Sequence, residues 1–359
     1  MIEKYYDGAI EQVAAGLGTV EKNHLLVRYS GQFSVENLND TKQLEKNEDI
    51  FVQVHEFETG EITCAYEPYL TMICDGFRRY MTGTFEEFME TCDVYYLHRP
   101  VLLGYFNQDN TGREEIILLD EVAYEQERML AALERMLCAI ADRHPVLFVL
   151  NRFQLASKST MQLTARFLKC ENCNIGLVLG VSDIQAMPEF LVPDWEMLYE
   201  TLDDGSKIYH IGNSGRKKEE TIDDEKYVDY GSEKVYRKLQ NMVEFLDFDQ
   251  AAYYLETIER KIKFDNLLVD DAARFRMWLL FVKVSILRQD IPKALEICED
   301  LEKIHLAGKE EECAYEQDYL IATAYMYQGK LKEALEMAGE TYRIAGKMSD
   351  DYRMFLSEL

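Results

Sequence analysis

Between Pro145 and Leu168 the chain reads PVLFVLNRFQLASKSTMQLTARFL, and no other stretch limits the fold as much. Val146 to Leu150 is an unbroken apolar run, too short for a helix and rich in β-branched and aromatic residues. Such a run belongs to a strand buried on both faces, as in a parallel sheet. A polar turn follows at Asn151-Arg152, and then Met161, Leu163, Phe167 and Leu168 mark an amphipathic helix. Strand, turn and helix in that order make half of a parallel crossover, which needs further strands beside it and helices over it.

Those elements are present on both sides of the run. Strands are expected at His24–Tyr29, Ile50–His55, Asn174–Leu179 and Lys207–Ile211. Ile10, Val13, Ala14 and Leu17 recur at helical spacing within Ile2–Leu17, and a strong amphipathic helix fills Tyr124–His144. Ser34 caps a short expected helix to Glu45, and another helix opens near Tyr66-Glu67-Pro68-Tyr69 and carries Leu70, Ile73 and Phe77. Glu114–Leu119 fits a strand or the lead into a helix. Strands alternating with helices imply a parallel sheet covered on both faces.

After Ile211 the pattern stops. Gly212 to Glu220 crowds turn formers and charges together, and the charged run continues to Tyr230. The expected organisation is an α/β domain over 1–212, a charged linker over 213–231 and an all-α domain over 232–359. Three turns in this last part, at Asp247–Ala251, Asp290–Ala294 and Gly329–Ala334, each lead to an alanine that opens a second helix. Ala251, Ala294 and Ala334 stand 43 and 40 residues apart, a period belonging to helix-hairpin repeats of the tetratricopeptide sort. The middle unit departs from that pattern with Val282 and Ser285. Pro292 is expected in a turn, and Met348–Leu359 as a closing helix.

The stretch from Pro145 to Leu168 resembles the metal-site region of STAND-class P-loop ATPases, the AAA-related modules that precede helical repeats in large bacterial regulators. Their pattern is an apolar strand, two aspartates, an apolar residue, then Gln-Trp-Ala-Asp and an amphipathic helix. This chain keeps Phe153, Gln154 and Ala156 but carries Asn151 and Arg152 for the two acids, Leu155 for the Trp and Ser157 for the last Asp. In the family's phosphate loop, backbone N–H groups cradle phosphate and a lysine reaches its outer groups. Counting from Gly31, the second glycine falls on Glu36, the lysine on Asn37 and the hydroxyl residue on Leu38. Only Ser182 and Asp183 are placed to serve as the family's γ-phosphate sensor. The resemblance therefore implies a P-loop-type α/β domain followed by tetratricopeptide-like repeats, with the chemistry removed. Gly31, Glu36, Asn37, Asn151 and Arg152 would form a degenerate nucleotide cleft, with no catalytic residue and no cofactor.

Charge and composition exclude other classes. A formal charge of −27 repels phosphate backbones and anionic lipid, so direct nucleic-acid binding is not expected. The basic cluster Arg216-Lys217-Lys218 runs at once into Glu219-Glu220 and reads as solvated linker. No apolar stretch is long enough to span a bilayer, so no membrane insertion is expected. The first residues carry acids where a secretion signal has a basic head, and the eight cysteines are scattered, so a reducing cytoplasm is the expected location. Cys170-Glu-Asn-Cys173 lacks the second pair that a zinc site needs, and the six histidines show no metal-binding spacing.

The helical half supplies the expected partner surface. Trp278, Tyr315, Tyr319 and Tyr327 lie on first helices of repeats beside Glu316 and Asp318. Aromatic anchors among carboxylates suit a basic or amphipathic segment of another protein. The expected function is thus a non-catalytic cytoplasmic regulator or scaffold. An alternative is a regulator that binds ATP without hydrolysing it, and a third reading is an enzyme with unfamiliar chemistry in the old cleft.

Overall fold

A computed structural model describes residues 2–19, 24–29, 35, 49–58, 60–108, 121–170, 174–182, 187–203, 207–211 and 229–358. The chain divides into two units, Met1–Glu114 with Tyr124–Val228, and Glu115–Ala123 with Asp229–Leu359. The expected segments Ser34–Glu45 and Glu114–Leu119 lie outside the described residues, apart from Val35, as does the basic cluster at 216–218.

The first unit is α/β. Its sheet holds β1 (Leu25–Tyr29), β2 (Phe51–Glu56), β3 (Val146–Asn151), β4 (Ile175–Ser182) and β5 (Lys207–Ile211). All pairings are parallel, in the order β2-β3-β4-β1-β5. The first strand is therefore interior. From β1 the chain runs to the far edge at β2, returns through β3 and β4, and steps over β1 to β5. Outgoing connections from β1 and β4 head in opposite directions, and such a switch point opens a crevice at the strands' carboxyl ends.

Helices cover both faces, as the buried strands require. Helix α1 (Ile2–Gly16) places Tyr6, Ile10 and Val13 against Leu25, Val27, Leu147, Val149 and Val178. Two glycines on β4 set how closely it approaches. A Cβ on Gly176 would stand 2.6 Å from Val13 Cγ1, and one on Gly180 would stand 2.4 Å from the Tyr6 hydroxyl. On the other face Phe148 meets Tyr69, which opens α2 (Tyr69–Tyr80), with ring centroids 4.7 Å apart. Helices α3 (Phe85–Thr91), α4 (Arg99–Asn107) and α5 (Val122–Ala141) complete the long excursion from β2 to β3. Helices α6 (Lys158–Lys169) and α7 (Val192–Asp203) lie on the crossovers from β3 to β4 and from β4 to β5. Ser157 caps α6 by accepting the Thr160 N–H.

The second unit is all helical among its described residues. Helices α8 (Glu233–Glu244) and α9 (Phe248–Phe264) form one pair, α10 (Asp271–Leu287) and α11 (Ile291–Leu301) a second, and α12 (Glu310–Tyr327) and α13 (Leu331–Met348) a third; α14 (Asp351–Glu358) follows. The three pairs share one turn. Leu246, Gln289 and Gly329 adopt left-handed φ values of 65°, 63° and 76°. The next N–H reaches back five residues each time: Asp247 to Met242, Asp290 to Ser285 and Lys330 to Tyr325 carbonyls, at 2.7, 2.8 and 2.9 Å. This is a glycine-type helix stop, here built twice without glycine. Ala251, Ala294 and Ala334 follow at the same offset, all buried where the paired helices approach. Pro292 is in the first turn of α11 rather than in the turn before it, where a missing N–H leaves no helical hydrogen bond unmade.

Left-handed backbone is strained for residues with a Cβ and free for glycine. Gln289 is exposed, so nothing else is lost with its side chain. Gln289→Gly should therefore raise stability by about 0.5–1 kcal/mol, and Gly329→Ala should lower it by a similar amount. Urea midpoints of the two variants against the parent chain check this.

Candidate functional site

The switch point gathers a polar cluster at the carboxyl edge of the sheet. Tyr29 ends β1 opposite Ser182 at the end of β4, and Glu56 ends β2 opposite Asn151 at the end of β3. Asn151 is fully buried. Its Oδ1 accepts the Tyr29 hydroxyl at 2.7 Å, and its Nδ2 donates to Glu56 Oε1 at 3.4 Å. The Phe57 N–H donates to its carbonyl at 3.1 Å. Arg152 turns out of the strand with a left-handed φ of 54° and sets its Nε 3.3 Å from Glu56 Oε1.

The other Glu56 oxygen, Oε2, accepts the backbone N–H of Val35 at 3.1 Å. Three donors from two separate segments therefore converge on one carboxylate: a backbone amide after β1, and a side-chain amide and a guanidinium at the end of β3. Above the cluster, Tyr6 of α1 is buried beside Gly180, where an added Cβ would also stand 2.5 Å from Asn151 Oδ1. Burial, with Tyr29 and Glu56 nearby, holds the Tyr6 phenol well above its ordinary value. Burial likewise pushes Tyr29 up to about 12, with Glu56 adding to the rise and Arg152 and the Asn151 hydrogen bond opposing it. Both phenols stay protonated at neutral pH and serve as neutral groups.

Gln154 sits in the short 3-10 turn after Arg152 and is buried. Its Oε1 accepts the Ser182 N–H at 3.3 Å, while its Nε2 has no hydrogen-bond partner among the described residues.

Of the expected cleft residues, the fold brings Asn151 and Arg152 to this edge. Gly31, Glu36 and Asn37 lie outside the described residues, as does Asp183. Glu56, Val35, Tyr6 and Gly180 complete the cluster and were not anticipated. Their available signals were a polar residue closing the strand FVQVHE and two glycines four apart on β4. Cys173 is also outside the described residues; the thiol near Cys170 is Cys138, with the sulfurs 3.7 Å apart. No group of three His, Cys, Asp or Glu residues able to hold a metal ion occurs among the described residues.

The expected partner aromatics divide. Trp278 and Tyr315 are 3% and 2% exposed and offer no face to a partner. Trp278 packs near Phe281, and the Tyr315 hydroxyl donates to the Arg353 carbonyl at 3.0 Å beneath that arginine's guanidinium. Helix α10 is apolar on nearly every side, and such a helix is core rather than groove lining. Tyr319 and Tyr327 are half-buried. Nearby, burial together with Glu340 and Glu302 raises the Asp318 carboxyl from 3.8 to about 6.

No family model and no curated protein matches this chain. No helix of the described residues is long and apolar enough to cross a membrane.

Removing the shared carboxylate strands three donors. Glu56→Ala should lower stability by about 2–4 kcal/mol, and Glu56→Gln by less, since an amide oxygen still accepts. Guanidinium denaturation measures both. A second expectation concerns pH. The folded chain holds a proton on Asp318 more tightly than the unfolded chain, so ionised Asp318 opposes folding above about pH 6, and that cost fades as pH falls toward 3.8. Asp318→Asn should stabilise the protein at pH 7.5 by less than about 1 kcal/mol, the carboxyl being half exposed, and should match the parent below about pH 4. Melting temperatures taken across that range decide it.

Proposed function

We propose that this protein is a non-catalytic regulator or scaffold. In this reading its α/β unit is a P-loop-type module that has lost nucleotide chemistry, and its helical pairs are tetratricopeptide-like repeats that engage another protein. One observation carries the reading. At the carboxyl edge of the sheet, Glu56 collects the Val35 N–H, the Asn151 amide and Arg152. By the resemblance, Val35 lies in the span of the phosphate loop and Asn151 and Arg152 stand where the metal-site acids belong. The groups that would meet a phosphate and its metal ion thus meet an internal carboxylate, which satisfies them permanently. A loop amide bound to a carboxylate is not open to a second anion, and a triphosphate entering here would meet Glu56 unopposed by a lysine.

The repeats are the natural place for regulation in this reading. The partner is a basic or amphipathic protein segment drawn by the acidic surface, and Tyr319 and Tyr327 remain as candidates for contact. The cytoplasm, where scattered cysteines stay reduced, is the proposed location.

One observation favours the alternative, a regulator that binds ATP without hydrolysing it. Gln154 Nε2 is a buried donor with no partner among the described residues, at the mouth of the switch point. Calorimetry with ATP, GTP and Mg²⁺, paired with a phosphate-release assay, separates the readings. The expected results are no heat of binding at micromolar nucleotide and no turnover, in the parent chain and in Asn151→Asp alike. Micromolar binding without turnover would establish the alternative. Turnover restored by Asn151→Asp would show that the loop had kept its function and would end both.

A further inference from the structure

Cys138 of α5 and Cys170, which closes α6, stand 32 residues apart in the chain with their sulfurs 3.7 Å apart. Contacts on either side hold the two segments in register. One turn earlier on each helix, Arg166 Nη1 meets Glu134 Oε2 at 2.7 Å. Just beyond, Asn174 Nδ2 donates to the Ala141 carbonyl at the end of α5, at 3.3 Å. The contacts 134 to 166, 138 to 170 and 141 to 174 step forward together, so α5 and α6 lie side by side in the same direction. The two thiols are thus brought together by groups that contain no sulfur.

Their setting also differs from that of other cysteines. Both are half-buried, within reach of a small oxidant. Cys74, Cys92 and Cys298 are buried, and burial pushes their thiols up to about 12, 11 and 12. Those three stay protonated and shielded, as structural cysteines do. A disulfide needs the Cys138 and Cys170 sulfurs about 1.7 Å closer, a shift on the scale of side-chain rotation rather than helix movement.

We infer that Cys138 and Cys170 form a reversible thiol–disulfide site that responds to the oxidation of a small thiol such as glutathione. One protein thiolate attacks glutathione disulfide, forms a mixed disulfide and expels one glutathione thiolate. The other protein thiolate attacks the protein sulfur of that intermediate and expels the second. Two electrons pass from the protein thiols to glutathione disulfide, and the two thiol protons end on the two glutathiones. The new bond closes a ring that holds the end of α5, all of β3, Asn151, Arg152, Gln154 and α6. It ties α6 to α5 and removes conformations from the unfolded chain. The strand that ends at the polar cluster is clamped on oxidation and released on reduction. In a reducing compartment the pair rests as thiols and closes when glutathione is oxidised. The inference goes beyond the nucleotide and partner reading and stands without it.

Peptide mapping of the folded full chain tests it. The chain is equilibrated with reduced and with oxidised glutathione, its remaining thiols are alkylated, and it is digested with trypsin. Oxidised glutathione should join peptide 136–143 to peptide 170–207, and excess reduced glutathione should part them. Cys173 lies on the second peptide, so Cys173→Ser is mapped alongside and should keep the bond. The oxidised parent should melt about 5 °C or more above the reduced parent, while the melting temperature of Cys138→Ser should not respond to the oxidant. No joined peptide in oxidised glutathione would overturn the inference, as would a bond that is lost in Cys173→Ser or that reduced glutathione fails to open. A bond that leaves the melting temperature unmoved or lowered clamps nothing and would end the inference equally.

Discussion

A carboxylate at the end of β2 holds the working edge of the sheet together. Glu56 is bound by a backbone amide after β1 and by two consecutive side chains at the end of β3, and β4 lies between those strands. The ends of three strands are thereby tied through one side chain that none of them could replace. Its neighbours depend on it in turn. Asn151 is fully buried and must satisfy both ends of its amide, which it does with Glu56 on one side and Tyr29 on the other. Tyr29 is held protonated by that burial, and Gly180 leaves the space in which Tyr6 closes the cluster from above.

The arrangement places a structural network at an edge that parallel sheets ordinarily leave open. The carboxyl ends of parallel strands at a switch point present unpaired loop amides and open space, which is why ligands collect there. Here an internal acid takes the Val35 amide, so the same geometry contributes to folding stability. The polar cluster then has the character of a closed network, in which Tyr29, Asn151, Arg152 and the Val35 N–H each meet a partner within it.

Much of the fold was legible in the sequence, for identifiable reasons. Val146–Leu150 had to be a strand because no short helix can be apolar on every side at that length. The three alanines at the hairpin turns showed themselves because close helix approach demands small residues. Strand order was not legible, since periodicity says which face a residue takes and nothing of its neighbour across the ladder. Asn151 and Arg152 could be located because they follow the clearest strand, but their acceptor Glu56 lies 95 residues before Asn151 and looked like an ordinary surface acid. The left-handed turns at Leu246 and Gln289 carry no glycine to announce them. Trp278 and Tyr315 read as groove aromatics because helical spacing alone does not tell a partner's helix from the chain's own.

The interior place of β1 has a consequence for how the chain comes to be folded. Its two ladder partners, β4 and β5, lie roughly 150 and 180 residues further along, so the strand made first is enclosed last. While the ribosome is still making the segment between, Leu25–Tyr29 has two open edges and two apolar faces. Pairing at that range is slow, because a long loop must be closed before any contact rewards it. The helical pairs have the opposite character: each finds its contacts within a few dozen residues and can form as it emerges. Vectorial synthesis therefore delivers a slow, exposed half first and a quick, self-sufficient half second. During that interval α1, which reaches the same sheet face and is made before β1, is the chain's own nearest shelter for the waiting strand.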